Sequence, residues 1–378
     1  MTARTLSPTV AALAGMTALA IPMGVGRFAF TPILPMMQAD AGLSIADGAW
    51  LASANYLGTL VGAVAATVVR MRLPPALRGG LLTIGLPVWI VLRFIAGFAT
   101  GWVLPYASGW ALERLAPARR PLLNATVFAG YGVGIATAGV TCIVLMGVRA
   151  SSAQAWLSLG VLSLAAAAVV WRPFGDRDVA PRDGPPAAGG PRRWDADAVR
   201  LVACYGAFGF GYIVPATFLP VMARRAIDDP AVFGWAWPVF GVTAAASTFA
   251  AAGLSSSLGN RRLWALGHGV MALGVVLPVL WPGIVAIMVC ALLVGGTFTV
   301  ITMAGFQEGR EVGGVRMIAA LASAFAVGQI GGPVVVRSVA RGHDGFSEAL
   351  VIACVVLVVA ACVVAAPARR ARRWPPGS

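Results

Sequence analysis

From residue 10 onward the chain runs as apolar stretches of about twenty residues separated by short polar knots, without the alternation that marks a half-buried strand. The clearest stretches are 10–37, 47–69, 121–147, 153–171, 199–223, 232–255, 263–281, 283–307, 315–337 and 347–366. At roughly 1.5 Å per residue, each suffices for a hydrocarbon core of about 30 Å. Lipid offers no partner to a free backbone amide, so spanning segments are helices or strands of a closed barrel. Continuous runs leave only helices, and the pattern predicts an all-α integral membrane protein.

Residues 73–112 hold either one long crossing or two short ones, and the arginines decide between them. All 28 basic residues are arginine. With two crossings there, 21 arginines gather on one side and 5 on the other, while Arg27 and Arg93 stay within the membrane. That asymmetry obeys the positive-inside rule with twelve crossings and both termini cytoplasmic. A single crossing would instead put "RMRLPPALR" and "ERLAPARR" on opposite sides. The third crossing is then drawn from "LPPALRGGLLTIGLPVWIVL" and has only about fourteen residues, below the usual minimum of about seventeen. Helix 3 is therefore expected to be unusually short.

Residues 172–198, "RPFGDRDVAPRDGPPAAGGPRRWDADA", mix proline, glycine and both charge signs and read as a cytoplasmic linker. It divides the chain into an N-terminal six-helix bundle, 1–171, and a C-terminal one, 199–378, with a short basic tail. The two halves resemble each other. "GVGRFAFTPILPMM" aligns without gaps on "GFGYIVPATFLPVM", matching Gly24 with Gly209, Leu34 with Leu219 and Pro35 with Pro220; Trp50 and Trp235 keep the same spacing. Farther on, Gly97 matches Gly295, Glu113 matches Glu311 and Gly130 matches Gly328 at a spacing of 198. Same-orientation repeats six helices apart are a signature of transporters that rock around a midplane site.

Composition adds a few exclusions. The chain is 59% hydrophobic and 11% charged, with a mean hydropathy of +0.83, far from the balance of a soluble domain. The net charge of +14 is distributed by side of the membrane, so no nucleic-acid partner is expected. Cys142, Cys204, Cys290, Cys354 and Cys362 each lie in an apolar run with no CxxC pair, which argues against a disulfide framework and a zinc site. No HExxH, phosphate loop or intramembrane carboxylate pair is present, so neither an enzyme nor a cofactor is expected. The N-terminal segment lacks an A-x-A cleavage signal and reads as a retained first helix.

The words "GVGRFAFTPILPMMQ", "WLASANYLG", "LRFIAGFATGWV", "GFGYIVPATFLPVMAR" and "GGTFTVITMAGFQEGR" resemble the YbfB/YjiJ-type branch of the major facilitator superfamily. The resemblance covers nearly the whole chain. It implies a monomeric, multi-pass secondary transporter of the bacterial inner membrane, with a central cavity lined by helices 1, 4, 7 and 10 and alternating access to a small molecule. "RFIAGFATG" is similar to the superfamily's helix 4 Arg-x-x-x-Gly motif, placing Arg93 and Gly97 in it. "RMRLPPALRGG" does not match the Gly-Asp-Arg-Gly loop motif.

Arg27 is the residue whose chemistry asks for a reason. It lies ten residues from the outer end of its stretch, about 15 Å deep, too far for easy snorkelling. An intramembrane arginine costs about 2.5 to 3.5 kcal/mol on insertion scales, so it should face a cavity or a partner. Asn55 and Tyr56 come to the same depth, and Tyr212 matches Arg27 across the repeat. One reading makes Arg27 an anion-binding residue; the other ties it to carbonyls freed by Pro22, Pro32 and Pro35, a brace that never meets substrate. Arg93, whose motif leaves substrate contact and a proton-coupling relay open beside plain packing, completes the expected binding set with Thr297 and Gln329. Glu113, Glu308, Glu311 and Arg310 lie near cytoplasmic helix ends, where pairing with Arg114, Arg310 or Arg316 would latch the outward-facing state, solvated loop charge being the plainer alternative. The leading expectation is transport of an organic anion or zwitterion; an exporter of amphiphilic compounds and a non-transporting scaffold or receptor are the alternatives.

Overall fold

The computed structural model of the chain describes residues 7–68, 86–115, 118, 120–175, 195–227, 229, 232, 234–339 and 345–366. Among the described residues ten helices carry the bundle: α1 (Pro8–Asp40), α2 (Ile45–Val68), α3 (Leu86–Leu115), α4 (Pro121–Gly147), α5 (Ser152–Gly175), α6 (Ala196–Ala226), α7 (Ala236–Leu258), α8 (Asn260–Leu280), α9 (Ile284–Val339) and α10 (Gly345–Ala365). Among the described residues there is no strand. Nine segments are long and apolar enough to cross a membrane, α9 supplying two, and α2 and α3 add helices of 24 and 30 residues. The expected short crossing before α3, most of the linker and the basic tail lie outside the described residues.

The sequence pattern separates 283–307 from 315–337 by a polar knot, but the structure keeps helical hydrogen bonding from Ile284 to Val339. This segment is not straight. Tyr212 meets both Phe298 and Phe325, which would stand about 40 Å apart along a straight helix. The chain therefore doubles back between its two spans, 284–313 and 320–339, and its arms lie side by side.

Close helix approaches repeat between the halves. A Cβ added at Gly97 of α3 would collide with the Asn55 carbonyl of α2, and one at Gly295 of α9 would collide with the Phe240 carbonyl of α7. Those pairs are related by the repeat spacings, so the same crossing is built twice. Between the halves, α4 packs on α7 and α2 on α9. Gly132 and Gly241 face one another's backbone at the first of these contacts. Exposed Leu157, Val161, Leu164 and Val169 on α5 and Val351, Val355 and Val359 on α10 give the bundle an aliphatic exterior, as expected where acyl chains are the solvent.

Gly97→Ala should lower the thermal unfolding midpoint in detergent by an amount equivalent to about 1–3 kcal/mol, because two backbones must part to admit the methyl group. Gly269→Ala, where an added Cβ meets nothing within 4 Å, is the control and should be neutral or slightly stabilising.

Candidate functional site

The site begins with a local defect in α1. Residues Ile21–Phe28 are π-helical, flanked by α-helical Pro8–Ala20 and Phe30–Asp40. Pro22 has no N–H to donate, Gly24 and Gly26 relax the local backbone, and Pro32 and Pro35 withhold N–H groups from the turn above. The wider winding turns carbonyls outward, and neighbouring helices collect them. Thr100 Oγ1 of α3 donates to Pro22 O at 3.2 Å. Asn55 Nδ2 of α2 donates to Gly26 O at 3.1 Å and to Arg93 O at 2.9 Å. Arg93 of α3 spreads its Nη1 to Gly26 O at 3.4 Å and its Nη2 to Arg27 O at 3.3 Å, while its guanidinium carbon sits 4.7 Å from the Phe30 ring centre. Arg93 thus closes the π-helical segment from behind.

Arg27 points the other way and is only 3% exposed. Its guanidinium carbon lies 5.3, 5.4 and 5.7 Å from the ring centres of Phe28, Tyr56 and Phe325. Its Nε and Nη2 are buried with no hydrogen-bond partner. The described ion pairs join Arg200 and Arg261 to Asp197 and Arg261 to Glu308, and none includes Arg27 or Arg93. Two neighbouring guanidinium groups, Arg93 being bonded to the Arg27 carbonyl itself, are therefore held in the bundle with no described carboxylate paired to either. Such a site attracts anions strongly.

The rest of the expected set divides in two. Tyr56, Tyr212 and Gln329 gather around Arg27: Gln329 Nε2 donates to Tyr212 Oη at 2.5 Å, and Tyr56 Oη bonds Thr217 Oγ1 at 2.9 Å. Asn55 and Arg93 stand behind, on the carbonyls of α1. Thr297 directs its hydroxyl to Leu293 O and Val294 O of its own helix. Sequence reasoning did not single out Phe28, Phe298, Phe325 or Thr217, because an aromatic or a threonine in an apolar run reads as packing.

The halves meet firmly toward the end at which α1 and α6 finish. Thr31 Oγ1 donates to Ala216 O at 3.0 Å across 185 residues, the repeat spacing itself, so the bond joins equivalent positions near the axis that relates the halves. Arg224 Nη1 donates to Pro35 O at 2.6 Å, and Arg337 covers the Trp50 ring at 4.7 Å. At the opposite end, Asp197 of α6 takes Arg200 and Arg261, and Arg261 Nε of α8 also bonds Glu308 of α9. Glu311 accepts from Asn260 Nδ2 at 3.3 Å. Glu308 and Glu311 thus take partners on α8 that the sequence reading had left aside, within one half of the chain. The side chains of Glu113 and Arg310 lie outside the described residues.

A helical bundle with repeated crossings and an uncompensated cation where the repeats meet has the make-up of a membrane transporter of the major facilitator type. The chain belongs to the family described as uncharacterised MFS-type transporter YbfB, whose sequence model matches residues 19–365. No curated protein matches the chain. Among solved structures, the crystal structure of a mutant of the nucleoside transporter NupG is similar, with a TM-score of 0.66 over 95% of this chain and 99% of that one. At 13% identity the likeness is one of fold. The protein is accordingly a multi-pass membrane protein of a transporter family.

Proposed function

We propose that the chain is an alternating-access secondary transporter that binds a small organic anion or zwitterion at Arg27 and carries it across the inner membrane. The observation that carries this reading is the buried Arg27 Nε–Nη2 edge, which has neither an acid nor a carbonyl to satisfy it. In this reading the chain crosses twelve times in two six-helix halves, 1–171 and 199–378, joined by the 172–198 linker. Both termini are cytoplasmic and the protein acts as a monomer without a cofactor. The joined ends of α1 and α6 then face outward. Tyr56, Tyr212 and Gln329 line the anion site, while Arg93 and Asn55 hold the backbone that presents Arg27.

The test is counterflow in liposomes with labelled carboxylates, sugars and dyes, alongside Arg27→Gln. Carboxylate exchange that the substitution abolishes supports the reading. Sugar or dye movement that ignores the substitution would refute it, and the absence of any movement would favour a scaffold.

Two further expectations follow from the same geometry. The described acids sit at helix ends or in loops, and buried Glu308 is already held by Arg261. With no carboxylate beside Arg27, uptake should ignore an imposed pH gradient; strict dependence on an inward proton gradient would show a relay elsewhere. The outer closure includes Arg224 on the Pro35 carbonyl and Arg337 on the Trp50 ring. Arg224→Ala combined with Arg337→Ala should therefore shift the resting state outward, increasing labelling of a cysteine placed at Thr31 several-fold. Unchanged labelling would mean that α4–α7 and α2–α9 packing alone sets the state.

A further inference from the structure

The groups around Arg27 also restrict the kind of anion, an inference that rests on the anion reading above. Rings dominate the surroundings. Phe325 stacks on Tyr212 with centroids 5.4 Å apart and planes 10° from parallel, and Tyr212 meets Phe298 at 4.9 Å. Phe28 turns its edge to Phe298 at 6.2 Å, and Tyr131 approaches Phe298 at 6.1 Å. These rings come from α1, α4, α6 and both arms of α9, so the aromatic wall is assembled from both halves.

The buried unpartnered polar atoms around this wall include Nε and Nη2 of Arg27 and Oε1 of Gln329, the last residue fully buried, together with Trp237 Nε1 beside Phe28 and Arg93 Nε behind. Nε–H and Nη2–H of one guanidinium run parallel and match the two oxygens of a single carboxylate. Gln329 Oε1 is an acceptor, because its Nε2 is already given to Tyr212. The site therefore offers one bidentate carboxylate fork and one place for an O–H or N–H. A dicarboxylate would need a second free cation, and Arg93 has both Nη groups on carbonyls. An amine-bearing substrate would need an acid, and no described acid pairs with either guanidinium. A sugar would leave most of its hydroxyls facing carbon.

We infer that the Arg27 site takes a planar aromatic monocarboxylate, seated against Phe325, the partly exposed ring of this wall beside the guanidinium, and prefers one whose ring carries a hydrogen-bond donor that reaches Gln329. Stacking on these rings favours an aromatic body over a saturated one of equal size, by roughly tenfold in affinity. A donor to Gln329 Oε1 adds roughly a further fivefold, because it satisfies a buried acceptor.

The test is calorimetric titration of the full-length protein in nanodiscs with benzoate, 4-hydroxybenzoate, cyclohexanecarboxylate and succinate, for the wild type, Arg27→Gln, Phe325→Leu and Gln329→Met. The wild type should bind 4-hydroxybenzoate most tightly, then benzoate, then cyclohexanecarboxylate, with succinate weakest. Phe325→Leu should bring benzoate and cyclohexanecarboxylate together. Gln329→Met should erase the advantage of the hydroxyl while keeping that of the ring. The wild-type order decides the matter even if a variant fails to fold. Cyclohexanecarboxylate or succinate binding as tightly as benzoate, and lost in Arg27→Gln, would overturn the aromatic class and leave the anion reading standing. Binding of none of the four, or binding that Arg27→Gln leaves intact, would overturn both.

Discussion

Arg27→Gln is expected to reduce carboxylate uptake by about two orders of magnitude while leaving the unfolding midpoint within a degree or two of the wild type, or above it. The substitution keeps a polar amide of similar reach, but removes the charge and the parallel N–H pair. Removing one partner of a buried, hydrogen-bonded charge pair costs about 2–5 kcal/mol, and every 1.4 kcal/mol is about tenfold in affinity. Stability responds differently, because the resting protein already bears an unpaired buried charge. Cation–π contacts with Phe28, Tyr56 and Phe325 offset part of its desolvation. Their loss and the relief of desolvation nearly cancel. Uptake assays and thermal unfolding in detergent, run on the same preparation, separate the two effects. A large fall in midpoint with normal uptake would make Arg27 a brace and end the anion reading.

Arg93→Ala should behave in the opposite sense, with stability falling by about 3 kcal/mol or more and uptake failing as a consequence. The side chain joins α3 to two carbonyls of α1, and Arg27 O has no other described partner to replace it. Truncation leaves a buried acceptor unsatisfied, at a cost of about 1–3 kcal/mol. It also removes the cation from the Phe30 ring and opens a cavity at a crowded crossing. Hydrogen exchange over residues 21–28 should quicken, since Arg93 is one of three side chains that close this segment. Arg93→Lys should rescue only in part, because a single ammonium does not span two carbonyls as a planar fork does. Exchange over 21–28 that matched the wild type would show that Asn55 and Thr100 hold the π-helical turn without Arg93.

The contrast between the two arginines marks where sequence reading stopped. Both looked alike in the chain, each a lone charge in an apolar run, and for Arg27 the choice between ligand contact and carbonyl brace was open. In the folded protein the described side-chain bonds to carbonyls of the π-helical segment of α1 come from Arg93, Asn55 and Thr100. Choosing between such roles requires knowing which way a helix face turns, and the π-helical winding of Ile21–Phe28 alters that phase. A periodicity of 3.6 extrapolated through the segment misplaces everything beyond it. The aromatic wall was equally hidden, because Phe298 and Phe325 lie 27 residues apart on one helically bonded segment that turns back on itself. Asp197 and Arg261 were visible only as charges at helix ends, 64 residues apart.

What the sequence determined by itself was the solvent and the symmetry. Apolar runs of bilayer length, with charge confined largely to the knots between them, leave a chain little choice but to cross a membrane as helices. The 185-residue spacing also marked residues in equivalent positions, and two of them, Thr31 and Ala216, are joined by a bond in the folded protein. Those properties are local or periodic, and can be read along a line. The tertiary structure alone decided which arginine holds backbone and which remains unsatisfied, and which rings surround it. Hydrogen bonds and ring contacts act over a few ångströms, and only the packed bundle brings groups far apart in the chain within that range.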